Sequence, residues 1–289
     1  TTIKNPEGTK PFKSLDLILK YKVTALVHFG RSGTGLLHSL IDGHPEVSTL
    51  PSVYLSQYFR LSTWENITAQ GFDKIAEKFI ETYEVLFDAS SRTPIATASK
   101  YEVYFGHKEG MANLGEQRDE VLTVDKALFY SELTQLMACY EELNARTFFH
   151  LVHLAYNKAV KDFNHKKMIF YHIHNPDHYA QLNFVRLNPT ANWVMMIREP
   201  IQSCESWVQK DFQENKYEDV TSKILTMLFD INNIIYHKQE AIGVRLEDLK
   251  KNPQKTIPIL CSWMGIEEKE SLYRMTAQGK KWWGDPTSP

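Results

Sequence analysis

The stretch that most narrows what this chain can fold into runs from Val23 to Ile41. Val23–Phe29 (VTALVHF) is a short apolar run rich in β-formers, and Gly30-Arg31-Ser32-Gly33-Thr34-Gly35 follows at once. Thr34–Ile41 (TGLLHSLI) then has helical spacing, which Gly43-His44-Pro45 stops. A strand, a glycine loop and a helix in that order open an α/β unit. Met168–Ile173 (MIFYHI) and Trp193–Ile197 (WVMMI) read as further buried strands, and Ala241–Leu246 (AIGVRL) is a fourth strand candidate. Helical periods cover Phe72–Phe87, the neighbourhood of Asp119–Leu143, and Ala145–Phe163. Short apolar strands alternating with helices predict a three-layer α/β fold with a mostly parallel central sheet. The expectation is a single domain over residues 1–289, with a helical insertion at about 53–165. Within it, Thr93–Gln117 is polar and reads as loop, and Tyr101, Tyr104 and Phe105 either line a pocket or cap the core.

Composition matters here mainly for what it excludes. Lys plus Arg total 33 against 35 for Asp plus Glu, a net charge of −2. No global basic field exists for nucleic acid, so an anion must be held by a local site. Cys139, Cys204 and Cys261 are too scattered for a disulfide scaffold or a zinc cluster, and no metal constellation emerges. No run approaches the ~18 apolar residues of a membrane span. The chain does not open on a leader-like segment, which sets the expectation at a cytoplasmic protein. The Golgi lumen is the alternative if an anchor precedes this stretch.

The glycine loop favours a phosphate-like anion. Small residues let successive backbone N–H groups curl round an oxyanion, and the helix behind adds its positive end. A P-loop nucleotidase or kinase places Lys and Ser/Thr directly after the last glycine. Here those positions are Leu36 and Leu37, and the loop's cation comes early, as Arg31. The bland alternative is a strand-to-helix turn that uses glycine for geometry alone. A second basic site follows Trp193–Ile197. Arg198 lies at the C-terminal end of that strand, where open α/β sheets bind ligands. Ser206 comes eight residues later, about two turns into the next helix. The pair suits a second phosphate, unless Arg198 merely pairs with Glu199 at the surface. His172 and His174 end another strand, and alternation puts both on one face.

The segments GRSGTGLLHSLIDGHPEV and VMMIREPIQSCESW resemble the two cofactor signatures of sulfotransferases that use 3′-phosphoadenosine 5′-phosphosulfate (PAPS). VRLEDLKKNP is similar to that family's YEDL stretch, and GKKWWGD to its C-terminal basic loop, in the same order along the chain. The resemblance implies a PAPS-dependent sulfotransferase that moves a sulfuryl group to a hydroxyl and releases 3′,5′-ADP, with no metal. It implies that Arg31, Ser32, Gly33, Thr34, Gly35 and Leu36 hold the 5′-phosphosulfate. Arg198 and Ser206 then hold the 3′-phosphate, which Lys280 and Lys281 reach from the C-terminal loop. The family's lysine-x-histidine-x-proline strand end is matched by His172-Ile173-His174-Asn175-Pro176. On that match His174 is the base and His172 takes the lysine's seat beside the sulfuryl group, leaving Arg31 as the permanent cation. Which histidine acts as base stays open.

The chain also departs from the pattern. Leu246 stands where the YEDL tyrosine meets adenine, so Trp282 or Trp283 becomes the stacking candidate. The peptide-tyrosine branch carries a glutamate base near the position of Ser52. The acceptor stays open among a carbohydrate, a small metabolite, a peptide tyrosine and a carrier-bound hydroxyacyl chain. Two other functions compete: a P-loop nucleotide kinase, and a non-catalytic nucleotide-binding or carrier-docking module.

Overall fold

The computed structural model describes residues 1–8, 21–28, 31–52, 54–91, 105–174, 178–231 and 240–285. Gly30, Tyr101 and Tyr104 lie outside the described residues. After a short first strand, β1 (Thr2–Lys4), the chain enters β2 (Lys22–His28), α1 (Thr34–Ile41) and β3 (Val47–Thr49). The intervening region carries α2 (Leu61–Thr68), α3 (Ile75–Thr82), α4 (Phe105–Lys108), α5 (Lys126–Met137), β4 (Glu142–Asn144) and α6 (Ala145–Ala159). There follow β5 (Met168–His172), α7 (His178–Leu187), β6 (Asn192–Ile197), α8 (Pro200–Gln213), α9 (Tyr217–Ile231) and β7 (Ala241–Arg245). Helices Leu246–Lys251 and Pro253–Met264 then lead to a small hairpin of β8 (Thr276–Ala277) and β9 (Lys280–Lys281).

The central sheet has five strands in the order β3-β5-β2-β6-β7. Every pairing within it is parallel, with Leu26 of β2 opposite His172 of β5 and Val194 of β6. Alternation along the strands builds two cores. Val23, Ala25, Val27, Ile169, Tyr171 and Trp193 face the insertion helices. Leu26, Phe170, Val194 and Met196 face α1 and the helix Pro253–Met264. The architecture is therefore an α/β sandwich of three layers. Each inner strand is apolar on both faces because both are covered.

Local chemistry sets the ends of the helices. Asp125 caps α5 by accepting from the Leu128 N–H, and Asn144 caps α6 by accepting from Thr147. Pro253 opens its helix and Gly265, at φ +76, closes it.

Three departures from the sequence reading have physical causes. The helix expected near Asp119–Leu143 begins only at Lys126, because isolated bridges from Glu120 to Leu114 and from Thr123 to Asp88 hold the preceding residues extended. Part of the expected loop Thr93–Gln117 is ordered into α4 and turns. Strand β3 has only three residues, two of them hydroxylated, which is too little apolar sequence to signal a strand.

Candidate active site

All five central strands run the same way, so the ends of β2, β5 and β6 open on one edge, beside the glycine loop. Gly33 has φ +84 and no side chain caps α1. A Cβ on Gly33 would lie 2.6 Å from Leu246 Cδ1, so any other residue there must displace that side chain as well as hold the left-handed backbone. The first N–H groups of an α-helix have no partner within the helix. Beside them Ser32 is buried and its Oγ meets no partner within the protein. A buried hydroxyl, an uncapped helix start and an exposed Arg31 stand together here, groups of the kind that an anion-binding loop uses. Thr34 is buried, Leu36 is half-buried, and Gly35 is open to solvent on one side with the Trp282 ring against the other.

Arg198 leaves the end of β6 and reaches the same loop, donating from Nη1 to the Arg31 carbonyl at 3.5 Å. Glu199 does something else. Its carboxylate accepts from the Gln202 N–H at 2.7 Å and so caps the start of α8. Glu247 accepts from the Glu199 N–H at 3.0 Å. That hydrogen bond, with Arg245 and Arg198 nearby, holds the Glu247 carboxyl below the usual range. Ser206 is half-buried on α8, and Ser203, one turn earlier, is wholly buried.

The C-terminal hairpin lies along α1. Asp42, buried at the end of α1, accepts from Thr276 Oγ1 at 2.8 Å and from the Gly279 N–H at 2.9 Å. Lys280 pairs with Glu120, and Lys281 with Glu116, each at 2.7 Å. Both lysines reach a nucleotide only by exchanging those partners. Trp282 is buried and donates its indole N–H to the Glu109 carbonyl at 2.9 Å. Trp283 is the more exposed of the pair, with Arg118 and Lys281 against its ring at 4.2 and 4.0 Å.

The strand ends also bring four imidazoles together, two of which, His28 and His38, the sequence reading did not place at the site. His174 stacks on His28 of β2 at 4.9 Å between ring centres, and meets His172 edge-on at 5.8 Å. His172 in turn stacks on His38 of α1 at 5.5 Å. His172 is buried, and neither ring nitrogen meets a partner within the protein. Burial, and then the neighbouring His38, His174 and His28, push its pKa well below the usual imidazole range. It is a neutral ring at working pH and brings no positive charge to the seat that the resemblance gives to lysine. His174 is half-buried and looks out from the same strand end. No spacing rule announces His28 or His38, since neither shares an element with His172. Among the described residues no group of three or more His, Cys, Asp or Glu is arranged to hold a metal. No helix among them is long and apolar enough to cross a membrane.

A model of the sulfotransferase family matches residues 26–270, most of the chain. The chain belongs to the sulfotransferase family. It is an enzyme of that family, and the loop, the β6 arginine and the strand-end histidines all fall inside the matched region. Comparison with curated proteins by sequence finds no match. Among solved structures it is similar to the sulfotransferase domain of the curacin biosynthetic pathway, at 13% identity over 89% of this chain and 79% of that one, with a TM-score of 0.44. It is also similar to the sulfotransferase domain of the Synechococcus PCC 7002 olefin synthase (14% identity, 95% and 81% covered, TM-score 0.43). A third is a sulfotransferase from Mycobacterium avium (11% identity, 90% and 67% covered, TM-score 0.44). At that distance these likenesses do not bear on acceptor or mechanism.

Proposed function

We propose that this sulfotransferase takes its sulfuryl group from PAPS, passes it to a hydroxyl of an acceptor and releases 3′,5′-ADP. The observation that carries the reading is the meeting of two cationic, anion-ready elements at one loop. Ser32 Oγ is buried without a partner beside the uncapped start of α1, and Arg198 reaches across to the Arg31 carbonyl. A nucleotide with a phosphate at each end of its ribose suits such a pair.

In this reading Arg31, Ser32, Gly33, Thr34, Gly35 and Leu36 hold the 5′-phosphosulfate end. Arg198 and Ser206 hold the 3′-phosphate, with Lys280 and Lys281 drawn to it from the hairpin and Trp282 at its edge. When bound, PAPS supplies an activated sulfuryl group with a phosphate leaving group. The protein's own part is to orient, to neutralise charge and to move a proton. Arg31 and the α1 N–H groups offset the negative charge that grows on the leaving oxygen. His174, at the open end of β5, takes the acceptor's proton as neutral imidazole. His172, buried behind it, is neutral at rest. The insertion supplies the acceptor wall, and the acceptor is a hydroxyl on a carbohydrate, a small metabolite, a peptide tyrosine or a carrier-bound chain. The reading places the protein in the cytoplasm and uses no metal.

Thermal-shift titration tests it. A ligand at 100 times its Kd stabilises the folded state by about 2.7 kcal/mol. For a chain of this size that is roughly 4–5 °C in Tm. Stabilisation by 3′,5′-ADP and none by ATP-Mg²⁺ is the expected result, and the reverse pattern overturns the reading in favour of a kinase.

A further inference from the structure

A buried imidazole that lacks hydrogen-bond partners is costly, and His172 has none on either nitrogen. Its ring borders a void of about 10 Å³ that Ser52, Leu55, His153, Phe170 and Tyr171 also line. A single water needs roughly that much room and two to four polar partners. Three stand at the wall. They are His172, Ser52, and His153, whose Nε2 also meets no partner in the protein while Nδ1 is 2.9 Å from Ser48 Oγ. Ser52 itself sits at φ +52, a conformation that non-glycine residues rarely hold. There its Oγ donates to Glu109 Oε2 at 2.5 Å, across from the central sheet to the insertion. Trp282 fixes the Glu109 backbone from the other side.

We propose that one water in this void, Ser52 and Glu109 form a proton path that drains the histidine pair of the sulfuryl site. The proposal rests on the sulfuryl-transfer reading for its use, although the link between the residues does not. A proton that the acceptor hydroxyl gives to His174 passes to His172 when the two rings, edge-on at 5.8 Å between centres, turn toward each other, and it leaves an imidazole N–H on His172 for the water. The water gives one of its own to Ser52 Oγ, and Ser52 gives its original proton to the Glu109 carboxylate. Water and serine end unchanged, the imidazole is again neutral, and Glu109, which is half-buried, becomes a carboxylic acid that returns the proton to solvent. No electron pair is gained or lost beyond the transfer itself. The groups that face His172 are His38 from α1, His28 from β2, His174 from its own strand end and His153 from α6. All are imidazoles, and the carboxylate that bears on the cluster among the described residues is Asp42, through His38. Glu109 faces Ser52 and Tyr54, whose phenol is raised far above its ordinary value by burial and then by the Glu109 charge.

Two variants test the path, Ser52→Gly and Glu109→Gln. Glycine relieves the positive φ, so Ser52→Gly removes the hydroxyl without straining the backbone. The first readout needs no substrate: long-range ¹H–¹⁵N spectra of the histidine rings. The second is conversion of PAPS to 3′,5′-ADP with a panel of primary and secondary alcohols, in H₂O and in D₂O. In both variants the His172 nitrogen signals are expected to move and kcat to fall tenfold or more. KM for PAPS stays within twofold and the solvent isotope effect on kcat rises. His172 signals that do not move, or turnover within twofold of the parent, overturn the path. A parent that shows the coupled His172 signals but does not consume PAPS overturns the sulfuryl-transfer reading and leaves the link standing.

Discussion

Replacing Gly33 with alanine probes the geometry on which the loop depends, and its cost can be worked from two features. Gly33 lies at φ +84, and left-handed backbone costs a residue with a Cβ about 1–2 kcal/mol. The added methyl would also stand 2.6 Å from Leu246 Cδ1. The Leu246 side chain must turn away from a well-packed position, at a further ~0.5–1.5 kcal/mol. Together these predict a loss of about 2–3 kcal/mol in urea unfolding. The second component belongs to one partner, so a double-mutant cycle separates it. In a Leu246→Ala background the alanine at position 33 should cost about 1 kcal/mol less than in the parent. Affinity for 3′,5′-ADP, read by calorimetry, should fall in Gly33→Ala whichever residue stands at 246, because the N–H groups of the loop no longer converge. A Gly33→Ala protein within ~0.5 kcal/mol of the parent, or a cycle with no coupling to Leu246, refutes the reasoning.

Other predictions concern separate parts of the site. Arg198→Ala should weaken 3′,5′-ADP binding by about 2–5 kcal/mol with little change in urea midpoint, and an unchanged Kd removes Arg198 from the 3′-phosphate. His174→Ala should nearly abolish turnover while 3′,5′-ADP affinity stays close to normal, and retained turnover takes His174 out of the base role. Lys280→Ala and Lys281→Ala should each change folding stability by less than ~1 kcal/mol, because the Glu120 and Glu116 pairs they break are half exposed. Their 3′,5′-ADP affinity should nonetheless drop, and an unaltered affinity makes the lysines purely structural. Burial lowers the folded-state pKa of His172, His153, His38 and His44. The unfolded chain then binds more protons below about pH 6.5, so stability should fall as pH drops from ~7 toward 5. His172→Gln should flatten that slope by up to ~1.4 kcal/mol per pH unit, measured by urea unfolding across the range. An unaltered slope means that His172 does not stay neutral in the folded state.

The strands that place the site were legible because each is a bounded apolar run. Val23–Phe29, Met168–Ile173, Trp193–Ile197 and Ala241–Leu246 all fall on β2, β5, β6 and β7, to within a residue at each end. Burial on both faces leaves β2, β5 and β6 largely apolar, while β7, at the sheet edge, buries only Val244 and was legible from its β-rich run alone. Arg198 was legible for the same reason, since a charge directly after a buried run must lie at the sheet edge. What the sequence could not reveal is convergence between distant segments. Glu109 meets Ser52, Trp282 meets Gly35, and Glu116 and Glu120 take the lysines of the hairpin. Each of these depends on how the insertion or the C-terminal hairpin folds back, which periodicity within one element does not encode. The imidazole cluster is a similar case. His28, His38 and His172 come from three elements and meet only because β2 and β5 are neighbours with α1 packed across them.

The central claim is that two anion cradles grip opposite ends of one nucleotide. Calorimetric titration with 3′,5′-ADP and with 5′-AMP, on the parent and on Arg198→Ala, tests it most directly. The expected result is one site that binds 3′,5′-ADP at least tenfold more tightly than 5′-AMP, with the difference lost in Arg198→Ala. Equal affinity of the parent for the two nucleotides would contradict it.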